Sequence, residues 1–504
     1  MNIVPNTDTF SNLLAVLPEI LLTILAVVVI LLDAFSPESR RRQVGYVAAF
    51  GMFAIAAVTV LIAPPSAATQ FMWGGMIRHD TLSQLFRTMV IVAGGLASLI
   101  SMDSPGIGKR GEFYAVVIIA TIGTCFMSAA ADLIMVFIAL ETTSISLYIL
   151  AGFLRNNTRS SEAGMKYFLF GAFTSTIMLY GLSLLYGFTR QTNLYAIGDV
   201  LRTALPVGAP VNVSVALPIL LSLVMIAVGF GFKISAVPFH FWTPDVYEGA
   251  PTPVTAFISV ASKAASFALL TRFFVIAFQG APTTQFWVQL MAVLAVVTMT
   301  TGNLLALPQR NIKRLLAYSS IAQAGYALIG VTSIASQAGS TPGAGAAAVG
   351  FYMFMYVLTN LSAFGVIILF SNATGSETIA DFAGLSRRNF PLALALTVAF
   401  LSLAGIPPAA GFVGKFFLFK AAVSSNLTWL AIIGVLNSII ALYYYLVVIK
   451  IMFVDRSPDE DKAIPVSSPY RWALIVSVIG VIALGVFAGP VYDWASSAAQ
   501  GLFS

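Results

Sequence analysis

Apolar runs long enough to cross a bilayer recur along the whole chain, and this feature limits its fold more than any other. A helix rises about 1.5 Å per residue, so roughly 20 apolar residues span the hydrocarbon. Runs of that kind cover about 13–32, 44–63, 81–102, 113–130, 132–153, 163–188, 213–237, 252–279, 286–307, 312–335, 345–371, 391–422, 427–454 and 471–495. The gaps are too short for a soluble domain. The expected fold is therefore an all-α polytopic membrane protein of about fourteen transmembrane helices. Composition agrees: only 9% of the 504 residues are charged, against about a quarter in soluble domains.

Several function classes drop out. The single cysteine, Cys125, cannot build a thiolate zinc site, an iron–sulfur cluster or a disulfide framework within one chain. The net charge of +6 is spread over short loops, as membrane topology requires, so nucleic acid is not an expected partner. Gly343-Ala-Gly345 imitates a dinucleotide fingerprint but follows no strand, so the βαβ context that gives the motif its chemistry is missing. Residues 1–12 hold no Lys or Arg, and no removable signal peptide is expected.

The loop cations set an orientation. Arg40, Arg41, Arg42, Lys109, Arg110, Arg155, Arg159, Arg310, Lys313, Arg314, Arg387, Arg388, Arg456 and Lys462 follow odd-numbered runs, whereas the other loops carry Arg78, Arg190 and Arg202. The positive-inside rule then puts the odd-numbered loops in the cytoplasm and both termini outside.

Two runs read as broken helices. The seventh contains Gly229-Phe-Gly-Phe-Lys233-Ile-Ser-Ala-Val-Pro238, and the twelfth contains Gly405-Ile-Pro407-Pro408-Ala-Ala-Gly411. Proline removes a backbone donor and collides with the preceding turn. The breaks lie five helices apart, an odd number, so a tandem five-helix unit would be inverted at its second copy. Inverted repeats with interrupted helices mark transporters. The expected organisation is an N-terminal three-helix segment (1–112), two inverted five-helix repeats (113–279 and 286–454) and a C-terminal loop and helix (455–504).

Charged residues at bilayer depth are expensive and usually functional. Glu141 lies mid-way through the fifth run, Lys233 beside the first break, Lys263 eleven residues into the eighth run, and Lys415 just after the second break. Burial favours the neutral amine and a nearby carboxylate favours the ammonium, so a lysine under both influences can be switched. Lys166, at the start of the sixth run, can either approach Glu141 or snorkel to the surface. His240 is a titratable group near the first break. Asp245 and Glu248 are expected in the turn before the eighth helix, and Lys313 and Arg314 at the cytoplasmic start of the tenth. Lys420, Arg272 and Arg87 sit nearer helix ends and rank lower.

Two stretches carry a resemblance. Lys233-Ile-Ser-Ala-Val-Pro-Phe-His-Phe-Trp-Thr-Pro-Asp-Val-Tyr-Glu-Gly-Ala-Pro-Thr-Pro-Val-Thr-Ala-Phe257 and Gly302-Asn-Leu-Leu-Ala-Leu-Pro-Gln-Arg-Asn-Ile-Lys-Arg-Leu-Leu-Ala-Tyr-Ser-Ser-Ile-Ala-Gln-Ala-Gly-Tyr326 resemble the signatures of the antiporter-like, proton-conducting membrane subunits. These occur in respiratory complex I and in multi-subunit sodium/proton antiporters. The opening Leu17-Pro-Glu19, a lysine at 415 and an end soon after the last helix make the subunit N (subunit 2) branch of proton-pumping NADH–quinone oxidoreductase the most similar.

The resemblance implies a proton relay through Glu141, Lys233, Lys263 and Lys415, with Lys166 matching a sixth-helix lysine of that branch. It also implies an inner-membrane location and assembly with other membrane and peripheral subunits. NADH, FMN, iron–sulfur clusters and quinone are expected in those partners, with no cofactor or metal in this chain. A sodium/proton antiporter subunit and a hydrogenase-linked membrane arm share the motifs and stand as alternatives, and a passive scaffold is a third.

Overall fold

The computed structural model describes residues 6–65, 71–206, 213–278, 281–335 and 343–502. Thirteen described helices are long and apolar enough to cross a membrane. The spanning segments are α1 (Leu17–Phe35), α2 (Arg41–Leu61), α3 (Thr81–Leu99), α4 (Gly111–Ala129), α5 (Leu133–Ala151), α6 (Thr158–Thr189) and α7 (Val213–Ile234). They continue with α8 (Thr252–Ala277), α9 (Ala281–Ala306), α10 (Ile312–Ala335), α11 (Ala344–Thr374), the half-helices α12 (Phe390–Ala404) and α13 (Ala410–Ser424), then α14 (Thr428–Phe453) and α15 (Ser468–Val486). The run 391–422 holds no helix of spanning length: it is cut into two 15-residue halves around residues 405–409.

Helix ends follow local chemistry. Asp80 caps α3 by accepting from the Ser83 amide, and the Ser83 hydroxyl answers the Asp80 amide, a reciprocal capping box. Asp132 and Asn157 cap α5 and α6 more simply, their side-chain oxygens accepting from first-turn amides.

Burial separates two kinds of helix. α8 is wholly buried, and α10 and α11 nearly so, whereas α1, α6 and α14 keep two-thirds of their best apolar window uncovered. The latter expose Val27, Leu31, Phe173, Leu179, Ile432 and Ile439, the lipid-facing surface expected of outer helices. Inside, α8, α10 and α11 form an interior with many polar groups. Small residues bring α9 close against α10: a Cβ on Gly302 would lie 2.6 Å from the Ala322 amide, and one on Gly325 2.6 Å from the Met299 amide.

Loops that follow odd-numbered spans gather on one face. Arg42 pairs with Asp103 at 2.8 Å, Arg387 pairs with Glu460, and Asn311 Nδ2 donates to Glu377 at 3.3 Å. The grouping agrees with the sequence pattern of loop cations.

Several local expectations are corrected. The final run is not one helix over 471–495: α15 stops at Val486, and Pro490 starts a separate helix, Gly489–Gln500. Asp245 and Glu248 lie not in a turn but on a short helix, Trp242–Gly249. A small hairpin pairs Phe71–Met72 with Ile77–Arg78, and an amphipathic helix, Leu194–Ala204, lies between α6 and α7; neither has a long apolar run to announce it.

Candidate functional site

Both breaks expected from proline are present, and they leave backbone groups that need partners. After α7 the chain turns through residues 235–241, with Ser235 at positive φ and a cis Val237–Pro238 bond. The Phe232 carbonyl accepts from the Trp242 indole at 3.2 Å, and the Val237 amide donates to Thr298 Oγ1 at 3.0 Å. Between α12 and α13, Gly405 takes φ +89° beside a cis Pro407–Pro408 bond. Here the freed carbonyls are met by side chains: Gln323 donates to Leu403 O at 3.0 Å, and Lys415 Nζ to Ala404 O at 3.1 Å. The two lysines beside the breaks thus behave differently. Lys233 turns away from its break and donates to the Ser144 hydroxyl of α5, while Lys415 reaches back into its own.

Glu141 and Lys233 form one end of the site. Glu141 accepts from Ser175 Oγ of α6 at 2.7 Å and lies within electrostatic range of Lys233, yet the two make no direct ion pair. Ser144, one turn after Glu141 on α5, holds the amine instead. The Lys233 ammonium also lies 5.3 Å from the Phe232 ring centroid and 5.9 Å from that of Tyr148, where the rings' negative faces favour a cation.

Lys263 sits at the centre. It follows a π-helical turn, Ile258–Ser262, a distortion often found at functional sites. Its Nζ donates to Ser320 O at 2.7 Å and to Ser320 Oγ at 2.5 Å. The same hydroxyl meets Tyr356 OH at 2.8 Å and Tyr247 OH at 3.2 Å. Lys415 lies over the Tyr326 ring at 4.4 Å and reaches Ser438 Oγ at 3.2 Å. Among the described residues neither Lys263 nor Lys415 has a carboxylate partner.

The helix between these lysines is α10. Ser319, Gln323 and Tyr326 are spaced i, i+4, i+7 and share one side of it. Ser319 meets Tyr445, Gln323 accepts from Tyr352, and Asn303 Nδ2 donates to Tyr326 OH at 3.1 Å. Tyr444 OH completes this group on Asn303 Oδ1 at 3.1 Å. The Ser319, Gln323, Tyr326 and Asn303 side chains lie within the stretch 302–326 that carries the family resemblance, and their roles are not among the sequence expectations. The signal was present, because polar residues at helical spacing in a buried apolar helix need partners.

Other candidates fall elsewhere. Lys166 does not approach Glu141. It pairs with Asp245 at 2.7 Å and Glu162 at 2.8 Å, because its position nearer the α6 start brings it level with the short helix Trp242–Gly249. Burial pushes the Asp245 carboxyl up, but Lys166 and Arg314 outweigh it and hold the group below the usual carboxylate range. His240 is buried and rests on Phe241, 4.6 Å between centroids, with its Nδ1 atom unpartnered among the described residues. Lys420 is exposed.

Arg272 and Arg87, ranked low from their positions near helix ends, are completely buried. Arg272 grips Asp80 with two bonds, 2.6 and 2.8 Å, while Arg78 Nε adds a contact at 3.3 Å. Burial pushes the Asp80 carboxyl up, and the two guanidiniums bring it below its ordinary value. Arg87 pairs with Glu19 at 2.8 Å and donates to Ala15 O at 3.0 Å. Proximity to a helix end was a poor guide here, because other elements cover these ends.

The family described as "NADH:quinone oxidoreductase/Mrp antiporter, TM" matches residues 130–441. The NADH-quinone oxidoreductase subunit N of Moorella thermoacetica is 43% identical, covering 98% of this chain and 99% of its own. A chain of respiratory complex I from Thermus thermophilus is 31% identical with a TM-score of 0.76, covering 94% and 98% of the two chains. A chain of the Mrp complex from Dietzia superposes with a TM-score of 0.82 at 19% identity, over 99% and 98%, a likeness of fold alone.

Proposed function

The chain belongs to the NADH-quinone oxidoreductase subunit N family of antiporter-like membrane subunits, and from that premise we propose that it moves protons across the membrane through Glu141, Lys233, Lys263 and Lys415. Electron transfer from NADH to quinone takes place in other subunits and supplies the free energy. Lys263 takes up a proton from the cation-rich face, which is the cytoplasmic face in this reading. The proton passes laterally to Lys415 and leaves on the opposite side, where both termini lie. Glu141 biases the charge of Lys233, and Lys233 in turn biases Lys263.

One observation carries the reading: two buried lysines without carboxylate partners among the described residues rest on one helix, Lys263 on the Ser320 hydroxyl and Lys415 on the Tyr326 ring, with the Gln323 amide between them on the Leu403 carbonyl. A buried ammonium with so few compensating charges is costly, and its deprotonation is correspondingly accessible. Driving one charge against about 150 mV takes about 3.5 kcal/mol. Rearranging a charge pair such as Glu141 and Lys233 in a low-dielectric interior is of that size.

The two breaks support a further part of the proposal. Segments 113–279 and 286–454 are read as inverted five-helix repeats, each with one broken helix, flanked by 1–112 and 455–504. The repeats then provide two half-channels that open on opposite faces.

Glu141→Gln tests the coupling. Membrane vesicles carrying the assembled complex should keep the chain at near-normal levels while NADH-driven acidification falls several-fold. If the substitution only reduces assembly, and the remaining complex pumps normally per NADH, Glu141 serves the structure and not the relay.

A further inference from the structure

A cavity of about 650 Å³ opens on the cation-rich face, and Arg159, Glu248, Ala250, Lys313 and Glu377 are among its lining. A smaller hollow of about 200 Å³ shares Arg159 and Glu248 and adds Lys166 and Asp245. Most ion pairs at this mouth are partly open to solvent, as for Arg314 with Asp245 and Glu248. Lys313 differs. Its side chain is 3% exposed, and its Nζ lies 2.8 Å from Glu377 Oε1 and 3.0 Å from the Ala250 carbonyl. Glu377 is steadied in turn by Asn311 at 3.3 Å and Thr252 Oγ1 at 3.5 Å. A single ion pair therefore ties the first turn of α10 to the start of α8 and to the segment after α11.

Lys313 and Ser320 are seven residues apart on α10. They lie on the same face, about 10 Å apart along the axis. Ser320 is the residue that holds Lys263. Between them that face is sealed by apolar side chains, with Leu316 and Ala317 completely buried. The polar mouth and the central lysine are thus separated by one ion pair and about two turns of packed α10.

We propose that the Lys313–Glu377 ion pair is the gate for proton uptake from this cavity to Lys263. While the pair is closed, the α10 face beyond it stays dry. When it parts, water reaches Ser320, and a hydronium ion at the end of the water column gives its proton to the neutral Lys263 amine. One O–H bond breaks, one N–H bond forms, and a water molecule is left. The proposal rests on the reading of Lys263 as a proton carrier, but the gate has a readout of its own.

The test is labelling of an introduced cysteine by a charged, membrane-impermeant methanethiosulfonate in vesicles of the assembled complex. Ala317→Cys reports on the sealed face, and Thr378→Cys, which is exposed at the cavity rim, reports on the mouth. With the native pair, the cysteine at 317 should react at least tenfold more slowly than the one at 378. Glu377→Gln and Lys313→Met should each raise the rate at 317 tenfold or more, and Lys313→Arg should leave it low. Asn311→Ala, which removes the Nδ2 bond to Glu377 together with the α10 cap at the Lys313 and Arg314 amides, should give an intermediate rate and serves if the charge variants assemble poorly. An unchanged rate at 317 in all the loosening variants overturns the gate. So does a rate at 317 equal to that at 378 with the native pair. Normal pumping in Lys263→Gln would overturn the relay reading instead, whatever the labelling shows.

Discussion

Lys263 and Lys415, borne on different helices, are both held by α10: Lys263 by Ser320 and Lys415 by the ring of Tyr326, six residues further on. Six residues of helix are about 9 Å. Gln323 lies between them and reaches the Leu403 carbonyl, adjacent in sequence to the Ala404 carbonyl that Lys415 holds. The helix that separates the two amines thus also supplies the polar groups that join them.

Ser320→Ala removes the hydroxyl that Lys263, Tyr356 and Tyr247 share, while the Ser320 carbonyl still accepts from Lys263. A hydrogen bond to a charged group is worth about 1.5–3 kcal/mol, which is roughly tenfold or more in the populations it controls. NADH-driven acidification of vesicles should fall about tenfold with the complex assembled. Tyr356→Phe, which leaves Ser320 in place, should cost less.

Gly405→Ala probes the second break. At φ +89° a side chain is strained, by about 1–2 kcal/mol. The added Cβ would also lie 3.0 Å from Lys415 Cδ. The lysine must shift by a few tenths of an ångström, which weakens its bond to the Ala404 carbonyl. Pumping should drop several-fold more than the thermal stability of the purified complex would suggest.

Asp80→Ala leaves Arg272 buried without its bidentate partner. Breaking one side of a buried pair costs about 3–5 kcal/mol, so the chain should accumulate poorly and melt several degrees lower in detergent. Asp80→Asn keeps one acceptor and should be milder. Arg272 is on the same helix as Lys263, nine residues later, so the remaining complex should also pump less.

How much of this was legible in the sequence depends on range. Span positions and both breaks follow from local facts, namely apolar run length and proline, and these were readable. Glu141, Lys233, Lys263 and Lys415 stood out for the same reason, since a charge inside an apolar run is visible without knowing its neighbours. What was not visible is pairing across the fold. Lys166 had two plausible destinations, and only the placement of helix Trp242–Gly249 decides for Asp245. Arg272 looked peripheral because its partner Asp80 is 192 residues away. Pro490 could have shown that α15 ends early, but the apolar run continues past it and hid the division.

A pH prediction concerns His79, which lies outside the spans in the turn before α3. Burial lowers its pKa from 6.5 to about 4, and the Arg87 charge acts the same way against a smaller opposing effect of Asp80. Between those values the unfolded chain binds more protons than the folded one, so stability is highest above about pH 6.5 and declines as pH falls toward 4. The loss is at most about 3 kcal/mol. Melting temperature followed from pH 7 to 4 should fall less steeply in His79→Gln than in the native chain.

The most direct measurement is proton translocation per NADH oxidised in sealed vesicles containing the complex with Lys263→Gln. Glutamine, neutral and one bond shorter than lysine, keeps N–H donors on the Ser320 side but cannot carry a proton. The expected result is a normally assembled complex whose proton yield per NADH falls, together with a marked slowing of NADH oxidation. A full complement of protons per NADH at an undiminished rate would contradict the relay.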